Sequence, residues 1–303
     1  MGYILTTDNI TKKFKYKVAV NQVSIHVERG EVYGLIGKNG AGKTTLLKMI
    51  ANLSFPTSGS YTLHGENGES QQEMMKRIGV LIEDPGIFPN LSAMKNLKAK
   101  AIAYGIKNDN YLVELLQFVG LADVGEKPVK NFSLGMRQRL GIALAMVNSP
   151  ELLLLDEPIN GLDPQGIAEI RGVIHRLCTE LHTTVIISSH ILEELSKVAS
   201  RYGIIHDGRL IDELTKEELN ARCTPHIFIR AKDPAQTSAA LQKIGVTQYE
   251  FREDHFEINE RLDQIAELNI QLARENVQIT ELRLEGQSLE EYYFRLTGGN
   301  INV

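Results

Sequence analysis

A chain of 303 residues has room for one large domain or two unequal ones, and 43% hydrophobic with 23% charged residues is the balance of a folded globular protein. The net charge of -5 argues against nucleic acid as the main partner, because neutralising phosphates takes a surplus of Lys and Arg. Two cysteines, Cys178 and Cys223, are too few for a disulfide framework, no apolar run approaches the about 20 residues of a spanning helix, and MGYILTTDNITKKFK lacks the basic-then-apolar order of a signal peptide.

Along the chain, Val23, Ile25 and Val27 alternate with polar residues, Arg29-Gly30 marks a turn, and Glu31–Ile36 reads as a short apolar strand. A helix is expected from Lys43 to about Asn52, then turn-rich sequence with a strand near Tyr61–His64. From Met74 to Val147 the patterns are mostly helical, broken by DPGIFPNLS and EKPVKNFS. Leu152–Leu155 has the length and composition of a buried parallel strand. A helix (Ala168–His182), a strand (Thr184–Ser188) and a helix (Ile191–Ala199) come next, an alternation that predicts a doubly wound α/β domain. Tyr202–His206 and Arg209–Asp212 read as a hairpin around Asp207-Gly208.

A second unit of about 80 residues starts near Asn220 and reads as α+β. HIFIR is strand-like and PAQTSAALQKIG helix-like, with short strands around Tyr249 and Phe256. A helix over Arg261–Arg274 and the strand VQITELRL come next. The last helix is expected to align Leu289, Tyr292, Tyr293 and Leu296 on one face and to end at Gly298.

GKNGAGKTT at 37–45 fits G-x-x-x-x-G-K-[ST] through Gly37, Gly42, Lys43 and Thr44, after an expected strand and at the start of an expected helix. Such a loop curls so that backbone N–H groups converge on phosphate oxygens, and the helix N-terminus adds to the attraction. Lys43 supplies charge to the β- and γ-phosphates, and the Thr44 hydroxyl suits Mg2+. Asn39, Gly40, Ala41 and Thr45 complete the candidate cradle for ATP. In LLLLDEP at 152–158, Asp156 ends a buried strand, where an acid is costly unless a cation or hydrogen bonds compensate; bound Mg2+ is the simplest compensation. Glu157, one residue on, is placed to polarise water for attack on the γ-phosphate.

FSLGMRQR at 132–139 adds the most discriminating pattern. It is similar to the signature usually written LSGGQQQR, with Ser133, Gly135, Gln138 and Arg139 matching and Leu134 and Met136 departing from Gly and Gln. With these motifs in this order, about residues 1–215 resemble the nucleotide-binding subunit of an ABC transporter. The resemblance implies a P-loop NTPase α/β domain with a helical subdomain at about 84–150; the accessory α+β domain at 220–303 lies outside it. It also implies that Ser133 and Gly135 receive the γ-phosphate of ATP held by the opposite subunit of a homodimer. Asp163 of INGLDP corresponds to the D-loop, between the two sites, and His190 of SSH to the switch histidine that contacts the γ-phosphate. Phe14 stands where the family places an aromatic that stacks on adenine, with Tyr16 as a competitor and Val20 flanking the base.

One departure is informative. The family usually has Gln at the end of the strand entering the helical subdomain, where it reaches Mg2+ and the attacking water; in IGVLIEDPGIFPN that position corresponds to Glu83. A carboxylate there adds negative charge beside a triphosphate, so it must be offset by Mg2+ or be partly protonated. The substitution resembles the Glu-loop of ATPase subunits that export bacitracin, lantibiotics and similar peptides. The function so implied is ATP hydrolysis driving a separate transmembrane permease, from a peripheral position on the cytoplasmic face of the membrane. Export of a lipid, polysaccharide or ion is the alternative within the class. A soluble ATPase acting on ribosomes or DNA fits less well, since there is one motif set, no sustained heptad pattern and a negative charge.

Overall fold

The computed structural model describes residues 2–63, 71–223, 225–285 and 289–298. The chain divides into two compact units, Met1–Lys216 and Glu217–Val303.

The first unit opens with β1 (Tyr3–Phe14), β2 (Lys17–Val23), β3 (His26–Glu28), β4 (Val32–Ile36), α1 (Lys43–Ile50) and β5 (Ser58–Leu63). Strand β1 pairs antiparallel with β2, β3 and β5 in a four-stranded sheet. His64, expected in the last of these strands, lies outside the described residues. Next come α2 (Gln71–Lys76), β6 (Ile78–Leu81), α3 (Ala93–Ala103), α4 (Asp109–Phe118), α5 (Leu134–Met146) and β7 (Leu152–Asp156). The strand expected to lead into the helical subdomain is β6, four residues within the otherwise mostly helical stretch from Met74 onward. The unit is completed by α6 (Pro164–Thr179), β8 (Thr184–Ser189), α7 (Leu192–Ser196), β9 (Arg201–His206) and β10 (Arg209–Thr215), with α8 (Lys216–Cys223) at the junction.

A six-stranded sheet in the order β10-β9-β4-β8-β7-β6 is the frame of this unit. All its pairs are parallel except the β9–β10 hairpin. At the hairpin tip, Asp207 and Gly208 both take positive φ, as a two-residue turn matching the strand twist requires. The five residues of β4 and the first four of β7 are all buried, as in sheets covered on both faces. Leu35, Leu46, Ile50, Leu152, Leu154 and Ile186 share one apolar core with residues of the antiparallel sheet, among them Ile4, Leu5 and Val20. Helix α6 begins at Pro164, four residues before the sequence expectation, because Asp163 caps it and Pro164 takes the first turn, where no N–H is needed.

The second unit contains β11 (His226–Ala231), α9 (Pro234–Lys243), β12 (Tyr249–Arg252), β13 (His255–Ile258), α10 (Ile265–Arg274), β14 (Ile279–Glu285) and α11 (Leu289–Thr297). Its antiparallel sheet has the order β12-β13-β11-β14. Ile227, Ile229, Phe256 and Ile258 join Leu241, Leu268 and Leu272 in one core. Helix α10 starts at Ile265 rather than Arg261, which takes φ 54°, outside helical geometry. Tyr292 and Tyr293 of α11 are buried, while the Leu289 side chain lies outside the described set.

Candidate nucleotide site

Three neighbouring parallel strands, β4, β8 and β7, end in one row, so the segments after them gather at the carboxyl edge of the sheet. The loop after β4 turns into α1 at Gly42, whose φ of 111° excludes ordinary side chains; a Cβ there would lie 2.5 Å from the Ala19 carbonyl oxygen. Lys43 is 5% exposed. Its ammonium donates to the Gly37 carbonyl at 2.6 Å and to that of Lys38 at 3.3 Å, and stands 3.0 Å from Glu157 Oε1.

Asp156, at the end of β7, is held on both oxygens. Thr44 Oγ1 donates to Oδ2 at 2.7 Å, and Ser188 Oγ of β8 donates to Oδ1 at 2.6 Å. Ser188 Oγ also accepts from the Glu157 N–H at 3.0 Å, so one hydroxyl fixes two successive acids. Glu157 has φ 48°, a left-handed conformation uncommon for a side chain of its size. Its Oε2 lies 2.8 Å from His190 Nδ1. Its Oε1 is buried and lacks a hydrogen-bond partner, so its approach to Lys43 is a charge contact without hydrogen-bond alignment. Buried acceptors are normally paired, and this one marks a place where a donor belongs.

Phe14, Lys17, Ala19, Asn39, Gly40, Gly42, Lys43, Thr44, Thr45 and Glu157 line one cavity. Val20 does not. Its side chain is fully buried in the core, and its neighbour Ala19 takes the lining position. Phe14 is half exposed, with Lys12 Nζ 5.1 Å from its ring centre, while Tyr16 is wholly exposed and lines no part of this cavity. Ala41 is buried beneath the loop, and its carbonyl accepts from the Gly208 N–H.

The structure places the other predicted residues elsewhere. Ser133 caps α5, its Oγ accepting from the Met136 N–H at 3.2 Å, and Asp163 caps α6 by accepting from the Gly166 N–H at 2.9 Å. With Gly135 they line a second cavity that shares no residue with the first. Glu83 lines a third hollow, with Asp84, Pro85, Ile87, Leu134 and Arg137. Its φ is 60°, and its Oε1 accepts from Lys48 Nζ of α1 at 2.6 Å. Sequence reasoning missed Ser188, Lys17, Ala19 and Lys48. Of these only Ser188 carried a signal, as the first residue of the SSH triplet that contains His190.

A phosphate loop between a parallel strand and its helix, with an acid held two strands away, defines a P-loop nucleotide-binding protein. The family model described as ABC transporter matches residues 20–160. The bacitracin transport ATP-binding protein BcrA of Bacillus licheniformis is 39% identical over 99% of this chain and 99% of its own length. The lantibiotic transport ATP-binding protein SrtF of Streptococcus pyogenes is 43% identical over 69% of this chain and 90% of its own. Among solved structures, cbiO1 of Clostridium perfringens, part of the ABC transporter complex cbiONQ, superposes with a TM-score of 0.65 at 27% identity, covering 73% of this chain and 92% of that one. The chain belongs to the ABC transporter family, as an ATP-binding subunit with the ATPase fold. Subunits of this kind work with separate permease components, and among the described residues no helix is long and apolar enough to cross a membrane.

Proposed function

We propose that this subunit powers export of peptide antibiotics of the bacitracin or lantibiotic kind, as a homodimer on the inner face of the membrane. The observation that carries the substrate class is the match over nearly full length to a bacitracin transport ATP-binding protein. The Glu at position 83, where the family usually has Gln, supports it.

The two cavities support the homodimer. One holds the phosphate loop and Glu157, the other Ser133, Gly135 and Asp163, and they share no residue. A second copy brings its α5 N-terminus to the ATP of the first, where the N–H groups and dipole of that terminus favour a γ-phosphate. Phe14 offers a half-exposed face to adenine.

Mg2+ fits the oxygens present. Thr44 Oγ1 and Asp156 Oδ2 are already adjacent, and this ion takes few protein oxygens alongside phosphates and water. Bound there, it would neutralise charge developing on the transferred phosphoryl group. Glu157 is the general base: its Oε1, in charge contact with Lys43 but without an aligned hydrogen bond, accepts the proton of the attacking water, while His190 on Oε2 steadies the carboxylate. His190 is also our choice for the contact to the γ-phosphate. The groove of Glu83, Pro85, Ile87 and Leu134, with exposed Phe88 beside it in sequence, is our choice for the permease-contacting surface. There Glu83 couples nucleotide binding to transport.

The test is to co-express the chain with the permease encoded beside it and measure survival against a panel of cell-wall-active peptides. Protection is expected to vanish with Glu157→Gln. Full protection by that variant would exclude ATP-driven export, and protection against none of the peptides by the wild type would exclude this substrate class.

A further inference from the structure

The second cavity contains one largely buried cation to which the motifs assign no task. Arg139 lies six residues after the Ser133 cap of α5, and Glu169 six residues after the Asp163 cap of α6. Arg139 Nη2 stands 3.1 Å from Glu169 Oε2. The other oxygen of Glu169 accepts from Gln165 Nε2 at 3.2 Å, and all three residues line the cavity with Ser133, Gly135 and Asp163. Arg139 Nη1 donates to the carbonyls of Val119 and Gly120 at 3.2 and 2.9 Å, which close the C-terminal end of α4. Gly120 takes φ 68°, and a Cβ there would sit 2.9 Å from Nη1.

From this geometry we infer that Arg139 and Glu169 are positioning residues that fix the spacing between the Ser133 end of α5 and the Asp163 end of α6, and so shape the half-site offered to the nucleotide of a second copy. The inference rests on the two-chain reading of the proposed function. A planar fork can hold two carbonyls and a carboxylate at set angles, which a Lys ammonium cannot. Arg139 Nε is buried without a hydrogen-bond partner. That unpaired donor is costly, so the fork stands where its two outer nitrogens are needed rather than where all its protons are satisfied. A small rotation of either helix would move Ser133 relative to Asp163, and the Arg139–Glu169 pair resists it.

The experiment uses the full chain carrying Glu157→Gln, with ATP and Mg2+, and compares Arg139→Lys, Glu169→Gln and the double variant. Nucleotide affinity of dilute monomer is read with a fluorescent ATP analogue, and ATP-dependent dimerisation by sedimentation. Each single variant is expected to weaken dimerisation about tenfold, with monomer affinity unchanged within about twofold, and the double variant to lose no more than the worse single one. Glu169→Gln leaves the Val119 and Gly120 contacts in place, so it tests the link without disturbing α4. Unchanged dimerisation in both singles, equal loss of monomer affinity, or additive losses would overturn the inference. If Glu157→Gln alone forms no ATP-dependent dimer, the two-chain reading falls and takes this inference with it.

Discussion

The parallel sheet of the first unit and the antiparallel sheet of the second treat polar side chains differently. At the carboxyl edge of the parallel sheet, Lys43, Thr44, Asp156, Glu157, Ser188 and His190 converge within hydrogen-bonding reach of one another, yet Glu157 keeps a buried acceptor unpaired. On the antiparallel sheet of the second unit, charged groups neutralise one another in place. Arg230 pairs with Asp254 and Glu281, Arg283 pairs with Glu281 and Glu285, and His226 meets Glu285. Even Phe228 is occupied, with the Arg283 guanidinium 3.9 Å from its ring centre and the His255 ring stacked at 4.4 Å. Arg230 Nε also lacks an aligned hydrogen bond, with Asp254 Oδ2 2.9 Å away; what sets Glu157 apart is that it lines the phosphate-loop cavity, where a ligand can reach it.

If that contrast is right, substitutions at the first sheet change activity with little change in stability, and those in the second unit do the reverse. The largest effect is expected from Glu157→Gln, which lowers ATP hydrolysis by about 100- to 10,000-fold, the range for loss of a general base, with the melting temperature nearly unchanged. Phosphate release and thermal melting measure the two sides. Next is Leu241→Ala in the second core, where Leu241 is fully buried; the loss is expected at about 2–5 kcal/mol by denaturant melting, with hydrolysis retained by the folded fraction. A matching collapse of hydrolysis would mean that the second unit takes part in chemistry.

Ser188→Ala sharpens the comparison at an intermediate scale. It removes the hydroxyl that donates to Asp156 Oδ1 and accepts from the Glu157 N–H, leaving buried groups short of one partner. Hydrolysis is expected to fall about tenfold, which corresponds to about 1.4 kcal/mol of barrier. Retained wild-type hydrolysis would show that the two acids hold their places without it.

The difference between the regions also explains what was legible. Gly37 to Thr45 is one continuous segment whose conformation, strand context and chemistry are all local, so sequence reading reaches it. The same holds for the Asp207-Gly208 turn. Contacts between residues far apart in sequence were not legible: Lys48 with Glu83, Arg139 with Glu169, Ser188 with Asp156. Each depends on which strands and helices become neighbours. The burial of Val20 was not legible for a related reason. On a strand, one position of difference moves a side chain to the opposite face, and β2 turns Ala19 toward the cavity while Val20 joins the core. The start of α6 could have been read from Asp163-Pro164, a cap followed by a proline, a signal that the apolar spacing from Ala168 obscured.

The smallest effect, and the one most specific to the second unit, concerns acid. Hydrogen bonds from Arg230 and then His255 hold the exposed Asp254 carboxyl below its ordinary range, and the N–H groups of Gln248 and Thr247 do the same for Glu260. Burial works to raise Glu285, but Arg283 and His226 outweigh it and its net shift is also downward. A carboxyl lowered on folding adds stability above its unfolded pKa and loses it as pH falls through the folded one. The second unit is therefore expected to weaken progressively below about pH 4, the ordinary carboxylate range, with each exposed pair contributing little because solvent screens it. The first unit carries both signs: hydrogen bonds from Lys95 and Arg176 hold the exposed Glu126 and Glu180 low, whereas burial raises Glu31 against the pull of the Glu28 N–H and Arg201, so ionising Glu31 as pH rises costs stability and acid relieves that cost. Hydrogen exchange at pH 7 and at about pH 3.5 would resolve the units, with protection expected to fall further in β11 and β13 than in β4 and β8. An equal loss of protection in both sheets would mean that the ion pairs around Arg230 and Arg283 do not distinguish the second unit's stability from that of the first.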